Sequence, residues 1–482
     1  MSKLFTSMKD GEEWFQSKFG TNETFDATAK SVHLWGMPVV VLYINGLIDG
    51  LTLTTLLTEM QESYNDKTKY RDDPEAFLTY FPYHALADVD DKEKLLNNLL
   101  SGQVCFILPD GYTFLADVRS YPGRSPEEPD TEKVIRGARD GFTENIIQNT
   151  ALVRRRLRTE DLRFEMHQTS LNGKTDVAIT FMKGAANEEH LSYIRERLDE
   201  IKTDGLTMAD KSLEEFLFKQ RFHPMPFVRY TERPDICAAH LLEGHIAVIV
   251  DTSPSVILVP TTVFHHLQHA EEYRQAPFIG TFVRWIRLLG ASLSLFLLPL
   301  WYLLSTYQQY LPVSISFIGP NDPGSVPLFL QLFIADVGIE VLRMAAIHTP
   351  TPMSTAMGLV AAIVIGQVAI DVGLFTAEVI LYVAVSAIFT FAIPSFELSI
   401  TTKIFRLFIL ICTALFGAAG FFLSIVVLFY YLASLKPLGT PYLWPAVPFF
   451  PEAMKRVLIR YPMTNDAPRP YITKSPNRDR LS

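Results

Sequence analysis

The sequence predicts a cytosolic α/β region of two similar subdomains followed by an α-helical integral membrane domain, and three observations carry that expectation. Of the 482 residues 48% are hydrophobic and 20% charged, with a mean hydropathy of +0.16, too apolar for an ordinary soluble protein and too polar for a many-span transporter. The charges are unevenly spread: residues 1–285 hold 31 Lys/Arg and 43 Asp/Glu, leaving 12 and 9 for the rest, and between Leu288 and Leu435 only Arg343, Lys403 and Arg406 are basic. In the acidic first part, a strand-then-helix pattern followed by a hairpin pattern occurs twice at nearly equal spacing.

In the first subdomain, 1–120, the β-branched run VVVLYI at 39–44 ends in Asn45-Gly46 and leads into a helix-like stretch at 51–64. A hairpin follows at 102–118, turning at Asp110-Gly111. The second subdomain, 164–285, repeats the order: a strand at 176–181, Gly184, a helix at 188–201, and a hairpin at 244–260 turning near Ser253-Pro254. Gly46 to Gly184 is 138 positions and Gly102 to Gly244 is 142, the mark of a diverged duplication. Between them, 121–163 reads as a helical connector, with a helix over 140–158 whose loose apolar face is Ile146, Ile147, Thr150, Leu152, Val153 and Leu157. Arg154, Arg155, Arg156 and Arg158 sit near its C-terminal end, where cations suit the helix dipole. They read either as a solvated helix end or as a surface for an acidic partner or anionic lipid.

The membrane domain, 286–435, opens with 19 uncharged residues at 288–306, preceded by Arg284 and Arg287, so its N-terminal side is cytosolic. The loop 307–326 has no Lys or Arg, as the opposite face requires. In 329–347, Asp336, Glu340 and Arg343 fall on one helical face; each costs at least ~2.5 kcal/mol in mid-bilayer and so must face protein or water. The run AMGLVAAIVIGQVAI at 356–370 offers Gly358, Ala361, Ala362 and Gly366 for close helix approach and Gln367 as a polar group. Asp371 and Glu378 bracket a turn, 379–396 is uncharged, Lys403 and Arg406 mark a cytosolic loop, and 407–435 is uncharged for 29 residues. The tail 436–482, with 8 basic and 3 acidic residues, belongs in the cytosol. Counting every apolar stretch as a span puts that tail outside, so either one segment is re-entrant or the last run turns back; the charges of 329–347 favour that segment as the exception. Four to six membrane segments are expected.

Cys105, Cys237 and Cys412 are odd in number and far apart, which excludes a disulfide framework. Met1 to Phe15 has no continuous apolar core and reads as no signal peptide. The acidic first part argues against nucleic acid as a partner. No P-loop, nucleophile elbow or zinc motif is present, so neither an enzyme nor a cofactor is expected. His265 and His269 with Glu272 could hold a metal, but the commoner account is a polar juxtamembrane helix, and no metal site is expected. Arg229, Glu232, Arg233 and Asp235 read as a salt-bridged connector.

Five segments, TEKVIRGARDGFTENIIQNTALVRRRLR (131–158), TERPD (231–235), VDTSPSVILVP (250–260), IEVLR (339–343) and GLVAAIVIGQVAI (358–370), together resemble the A-subunit family of GerA-type spore germination receptors, most closely its stage V sporulation protein AF branch. The resemblance spans residues 30–435. It implies a multi-pass protein of the spore inner membrane with its N-terminal domain on the core side. It further implies a homo-oligomer, with five subunits as the family's number, that forms an ion channel whose pore helix corresponds to 358–370. Gln331 and Met344 stand where those relatives tend to be acidic, which fits an accessory or amplifying member, nutrient recognition being attributed to a separate B subunit. Two functional expectations follow. In the first, Gly358, Ala361 and Ala362 set the width of a cation path, Gln367 adds a polar ring, and Asp336, Glu340 and Asp371 favour cations. In the second, the chain is a non-conducting scaffold that organises other germination subunits through its soluble half.

Overall fold

The computed structural model describes residues 2–20, 23–62, 77, 81–83, 86–120, 132–218, 222–312, 314, 318–321, 324–348, 358, 364–462 and 468–479. The chain forms two compact units, one of Met1–Arg221, Val228–Thr261 and Thr464–Ser482, the other of Phe222–Phe227 and Thr262–Met463.

The soluble unit holds two antiparallel sheets. In the first, β1 (Ser2–Lys3), β2 (Ala27–Leu34), β3 (Met37–Ile44), β5 (Val104–Ile107) and β6 (Tyr112–Ala116) lie in the order β1-β6-β5-β3-β2, with β4 (Leu86–Asp88) also on β6. Strand β3 is apolar at nearly every position because both its faces are covered, and its alternation sorts the residues. Val40, Leu42 and Ile44 pack with Phe15 and Phe19 of α1 (Met8–Phe19) and with Leu95 and Leu99. Val39 and Val41 pack with Leu53 and Leu56 of α2 (Gly50–Glu62) and with Phe106 and Phe114. Leu95 and Leu99 belong to α3 (Lys92–Leu100), started by the Asp91 side chain accepting from the Lys94 N–H.

The helix expected over 140–158 is shorter: α4 runs Ile146–Arg156, because Asn145 caps its first turn by accepting from Ile147 and Gln148, and Leu157 leaves helical geometry. The second sheet, β7 (Leu162–Thr169), β8 (Thr175–Met182), β9 (Arg229–Thr231), β10 (Ile246–Val250) and β11 (Val256–Val259), has the order β7-β8-β10-β11-β9. Helices α5 (Glu188–Asp199), α6 (Ala209–Phe218) and α7 (Pro234–Leu242) complete it.

The two sheets share an element order and two pairs of turn glycines. Both sheets run strand-strand-helix, then helix-strand-strand, with a further strand beside the last. Gly46 and Gly184 have φ 83° and 79°, and Gly102 and Gly244 have 95° and 88°, all in the left-handed region open to glycine. A Cβ at Gly102 would lie 2.6 Å from the Leu47 carbonyl, and one at Gly244 would lie 2.7 Å from the carbonyl of Ala185, the matching residue.

The helical unit contains α8 (Pro277–Thr306), α9 (Leu328–His348), α10 (Ala377–Phe391), α11 (Phe396–Ser434) and α12 (Pro451–Leu458), with a π-helical turn at Val364–Val368. Among the described residues, α8 and α11 are the helices long and apolar enough to cross a membrane. Segment 329–347, expected to be re-entrant, lies within the unbroken 21-residue α9, about 31 Å long at 1.5 Å per residue. The reversal falls instead in the last apolar run. Gly417 in α11 has φ 60° and ψ −140°, and the arms on either side fold back so that Phe405 and Tyr431 have ring centroids 6.1 Å apart. Ile409, Phe421 and Leu428 pack between these arms. A side chain at Gly417 would strike the Tyr307 hydroxyl, and one at Gly420 the Cys412 carbonyl. Lys403 and Arg406, expected in a loop, lie in the first arm of α11, buried.

Candidate functional site: a charged lattice in the helical unit

Helical spacing puts Asp336, Glu340 and Arg343 on one face of α9 and Ser399, Lys403 and Arg406 on one face of α11. These faces meet. Arg406 Nε donates to Asp336 Oδ2 at 3.1 Å and its Nη2 to Oδ1 at 2.5 Å, the forked geometry that suits guanidinium and carboxylate. Both side chains are fully buried. The remaining nitrogen, Nη1, donates to the Ser294 carbonyl of α8 at 2.8 Å, to Ser386 Oγ at 2.7 Å and to Thr390 Oγ1 at 3.2 Å, the last two on α10. Arg406 therefore joins four helical elements. One turn away, Lys403 Nζ sits 2.7 Å from Glu340 Oε2 and 3.8 Å from Asp336 Oδ1. Arg343 lies 3.5 Å from Glu340, donates to Ser399 Oγ at 3.1 Å and covers the Phe396 ring at 4.8 Å.

Two carboxylates facing three cations is the arrangement by which charges persist away from water: each has a counter-ion and a set of hydrogen bonds. Asp336 and Glu340 were expected to favour cations along a path. Their charges are instead neutralised by Arg406 and Lys403 within one chain, which makes them ties between helices. Glu340 thus faces two cations, Arg343 on its own helix and Lys403 on α11. Sequence reasoning missed Lys403, Arg406, Ser294, Ser386 and Thr390; the available signal was two cations in one apolar run and two carboxylates in another.

The glycine-rich segment is built differently. Space beside Gly358 and Gly366 is open where a Cβ would be, and Gln367 is exposed in the π-helical turn. Ala361 and Ala362 lie outside the described residues. Asp371 is exposed at the end of Ala369–Asp371, whereas Glu378 Oε1 accepts from the backbone N–H and side chain of Asn321 at 3.2 and 3.0 Å, anchoring the loop before α9.

The arginine cluster proposed as a partner surface divides. Arg154 is buried: it pairs with Asp26 at 2.9 Å, donates to the carbonyls of Thr159 and Leu162, and lies over Phe164. Arg156 is held by Asp140 at 2.6 Å. Arg155 and Arg158 alone of the four are exposed. Arg154 therefore fastens α4 to the strand region before β2 and is unavailable to a partner.

The histidines cap helices. His265 Nδ1 accepts from the Thr262 N–H at 3.1 Å and His269 Nδ1 from the Glu271 N–H at 3.2 Å, while Glu272 is paired with Arg284 and Arg287. Among the described residues no group of three metal-ligating side chains is assembled. Arg233, fully buried, grips Asp235 and the carbonyls of Glu132 and Ala138, the salt-bridged connector expected for that motif.

The family model described as Bacillus/Clostridium GerA spore germination protein matches residues 13–472. The chain belongs to the GerA family. Stage V sporulation protein AF of Bacillus subtilis (strain 168) is 47% identical to it, covering 99% of this chain and 97% of that protein. Spore germination protein KA of the same organism is 30% identical over 90% of this chain and 80% of that one. The crystal structure of the N-terminal domain of the A subunit of the Bacillus megaterium spore germinant receptor GerK3 aligns at 26% identity and TM-score 0.39, covering 54% of this chain and 96% of that one. Membership makes this GerA-family chain a germination-related subunit, and with its apolar helices a membrane-associated protein with a soluble N-terminal domain. None of these relatives is named for an enzymatic activity.

Proposed function

We propose that this GerA-family protein is a membrane subunit of a spore germination complex and that several copies, five by family resemblance, form a cation channel contributing to or amplifying ion release during germination. The observation that carries this reading is the contrast within the helical unit. Every charge on α9 is tied down, whereas Gly358, Gly366 and Gln367 carry open space or exposure in a single chain. Such a segment suits a helix facing equivalent helices around a narrow path, with Gln367 as its polar lining and Asp371 at its mouth.

The expected location is the spore inner membrane, with other germination membrane subunits and membrane lipid as neighbours. Residues 464–482 belong to the soluble unit, where Asn187 Nδ2 donates to the Lys474 carbonyl at 3.0 Å and Arg469 Nε to that of Leu242 at 3.0 Å. These contacts support a tail on the same side as the soluble unit, the core side, and with it an even number of membrane crossings. Six passes satisfy this: α8, α9, the glycine-rich segment, α10 and both arms of α11.

The test is cation flux in liposomes holding the protein alone and with its membrane partners, beside Gly358→Leu and Gly366→Leu variants of verified assembly. Cation-selective current that either substitution blocks is the expected result. Silence in every combination, with insertion demonstrated, would overturn the channel and leave the scaffold.

A further inference from the structure

Between α6 and β9 the chain leaves the soluble unit after Arg221 and rejoins it at Val228, and the six residues between, FHPMPF, are built into the helical unit. A connection of this kind ordinarily runs over its own domain's surface. Here Met225 is 2% exposed and packs with Ile393, Leu398 and Tyr442. Phe227 lies against Tyr442, ring centroids 6.1 Å apart, and against His223 at 4.0 Å. The Thr401 hydroxyl meets the Pro224 carbonyl.

Two of these contacts fall on the first arm of α11, and the helical period decides what they control. Leu398 and Thr401, three apart, face the FHPMPF segment; Ser399, Lys403 and Arg406, at i, i+4 and i+7, form the adjacent face that holds Arg343, Glu340 and Asp336. A segment pressing on the first face sets the rotation and height of the second. The segment is also stiff: Pro224 and Pro226 fix φ on both sides of Met225 and restrict the residues before them.

We infer that residues 222–227 are a lever through which the soluble unit sets the register of the first arm of α11, and hence of the buried Asp336–Arg406 and Glu340–Lys403 pairs, with Met225 as the positioning residue. This holds whether or not the helical unit conducts, so it stands or falls separately from the channel.

Coupling of this sort is reciprocal by thermodynamic necessity, and plain packing of one loop is not expected to carry past the face it touches to the charged face beside it. The experiment is amide hydrogen exchange on the full-length protein in lipid nanodiscs. Met225→Ser is expected to raise exchange across 396–406 at least tenfold, with 418–434 unchanged, and Met225→Leu to restore the original pattern. In the reverse direction, Lys403→Met is expected to raise exchange at the amides of His223, Met225 and Phe227, which it does not touch. Unchanged exchange at 396–406 in Met225→Ser, or at 222–228 in Lys403→Met, would overturn the lever. If Met225→Ser fails to fold, Pro226→Gly serves: it keeps the buried methionine and removes the stiffness, and normal exchange at 396–406 in that variant overturns the proposal equally.

Discussion

Removing Arg406 should show how the helical unit is held together, because one guanidinium makes contacts with α8, α9 and α10. In Arg406→Met, the Asp336 carboxylate stays fully buried and, among the described residues, keeps Lys403 Nζ as its one cation, 3.8 Å away. Stranding a buried charge in this way costs about 3–5 kcal/mol, and Asp336→Leu, which strands the guanidinium, costs a similar amount. The double variant Asp336→Leu/Arg406→Met removes both charges and fills the space with apolar groups. Its cost should be no more than about 2 kcal/mol, far below the sum of the singles, giving a coupling energy of at least ~3 kcal/mol. Unfolding of the full chain in micelles can be followed by fluorescence of Trp301, which is buried and stacked on Tyr382 with centroids 4.7 Å apart. If the single costs add to within about 0.5 kcal/mol of the double, the two residues do not act as a unit and the lattice argument fails.

The soluble unit offers two further tests. Arg154→Met should destabilise it by about 3–5 kcal/mol by leaving Asp26 buried without its partner, whereas Arg158→Ala, at an exposed position, should stay within about 0.5 kcal/mol; equal effects in a denaturant titration would refute the division. The second concerns acid. Burial holds His245 at about 3 and also lowers His240, whose ring lies 5.1 Å away. Below the ordinary value of 6.5 the unfolded chain takes up protons that the folded chain refuses, so stability is full above that pH and falls by up to about 1.4 kcal/mol per pH unit for each ring as pH drops. Unfolding free energies measured at several pH values should carry this slope, and His245→Leu should remove about one proton from it; an unchanged slope in the variant would exclude His245 as its source.

The sequence made the buried strands legible because burial on both faces left continuous runs such as VVVLYI, and the turn glycines were legible because no other residue fits them. Strands β2 and β7 were missed. Both are edge strands, and their residues, ATAKSVHL and LRFEMHQT, mix charge with apolar character because one side stays open. Lys403 and Arg406 were misassigned because a charge in an apolar run resembles a loop when its partners are 63 to 70 positions away. The reversal at Gly417 carries neither proline nor charge to mark it. In the glycine-rich segment, Gly358, Gly366 and Gln367 could be picked out by composition, but their open surroundings are a property of the fold that composition does not encode.

The division of the soluble unit along the chain has a consequence for synthesis. Each sheet is built from a contiguous stretch with its hairpin partners close in sequence, so both can form while the helices of the other unit are still unmade. Residues 464–482 emerge only after all those helices. Until then Asn187, the Leu242 carbonyl and the surface at Gly244, where Thr473 comes to rest, stay open to water. The contacts of Arg469, Thr473 and Lys474 therefore form only after the helices have been made, and a chain that stalls among the helices leaves these places on the soluble unit uncovered.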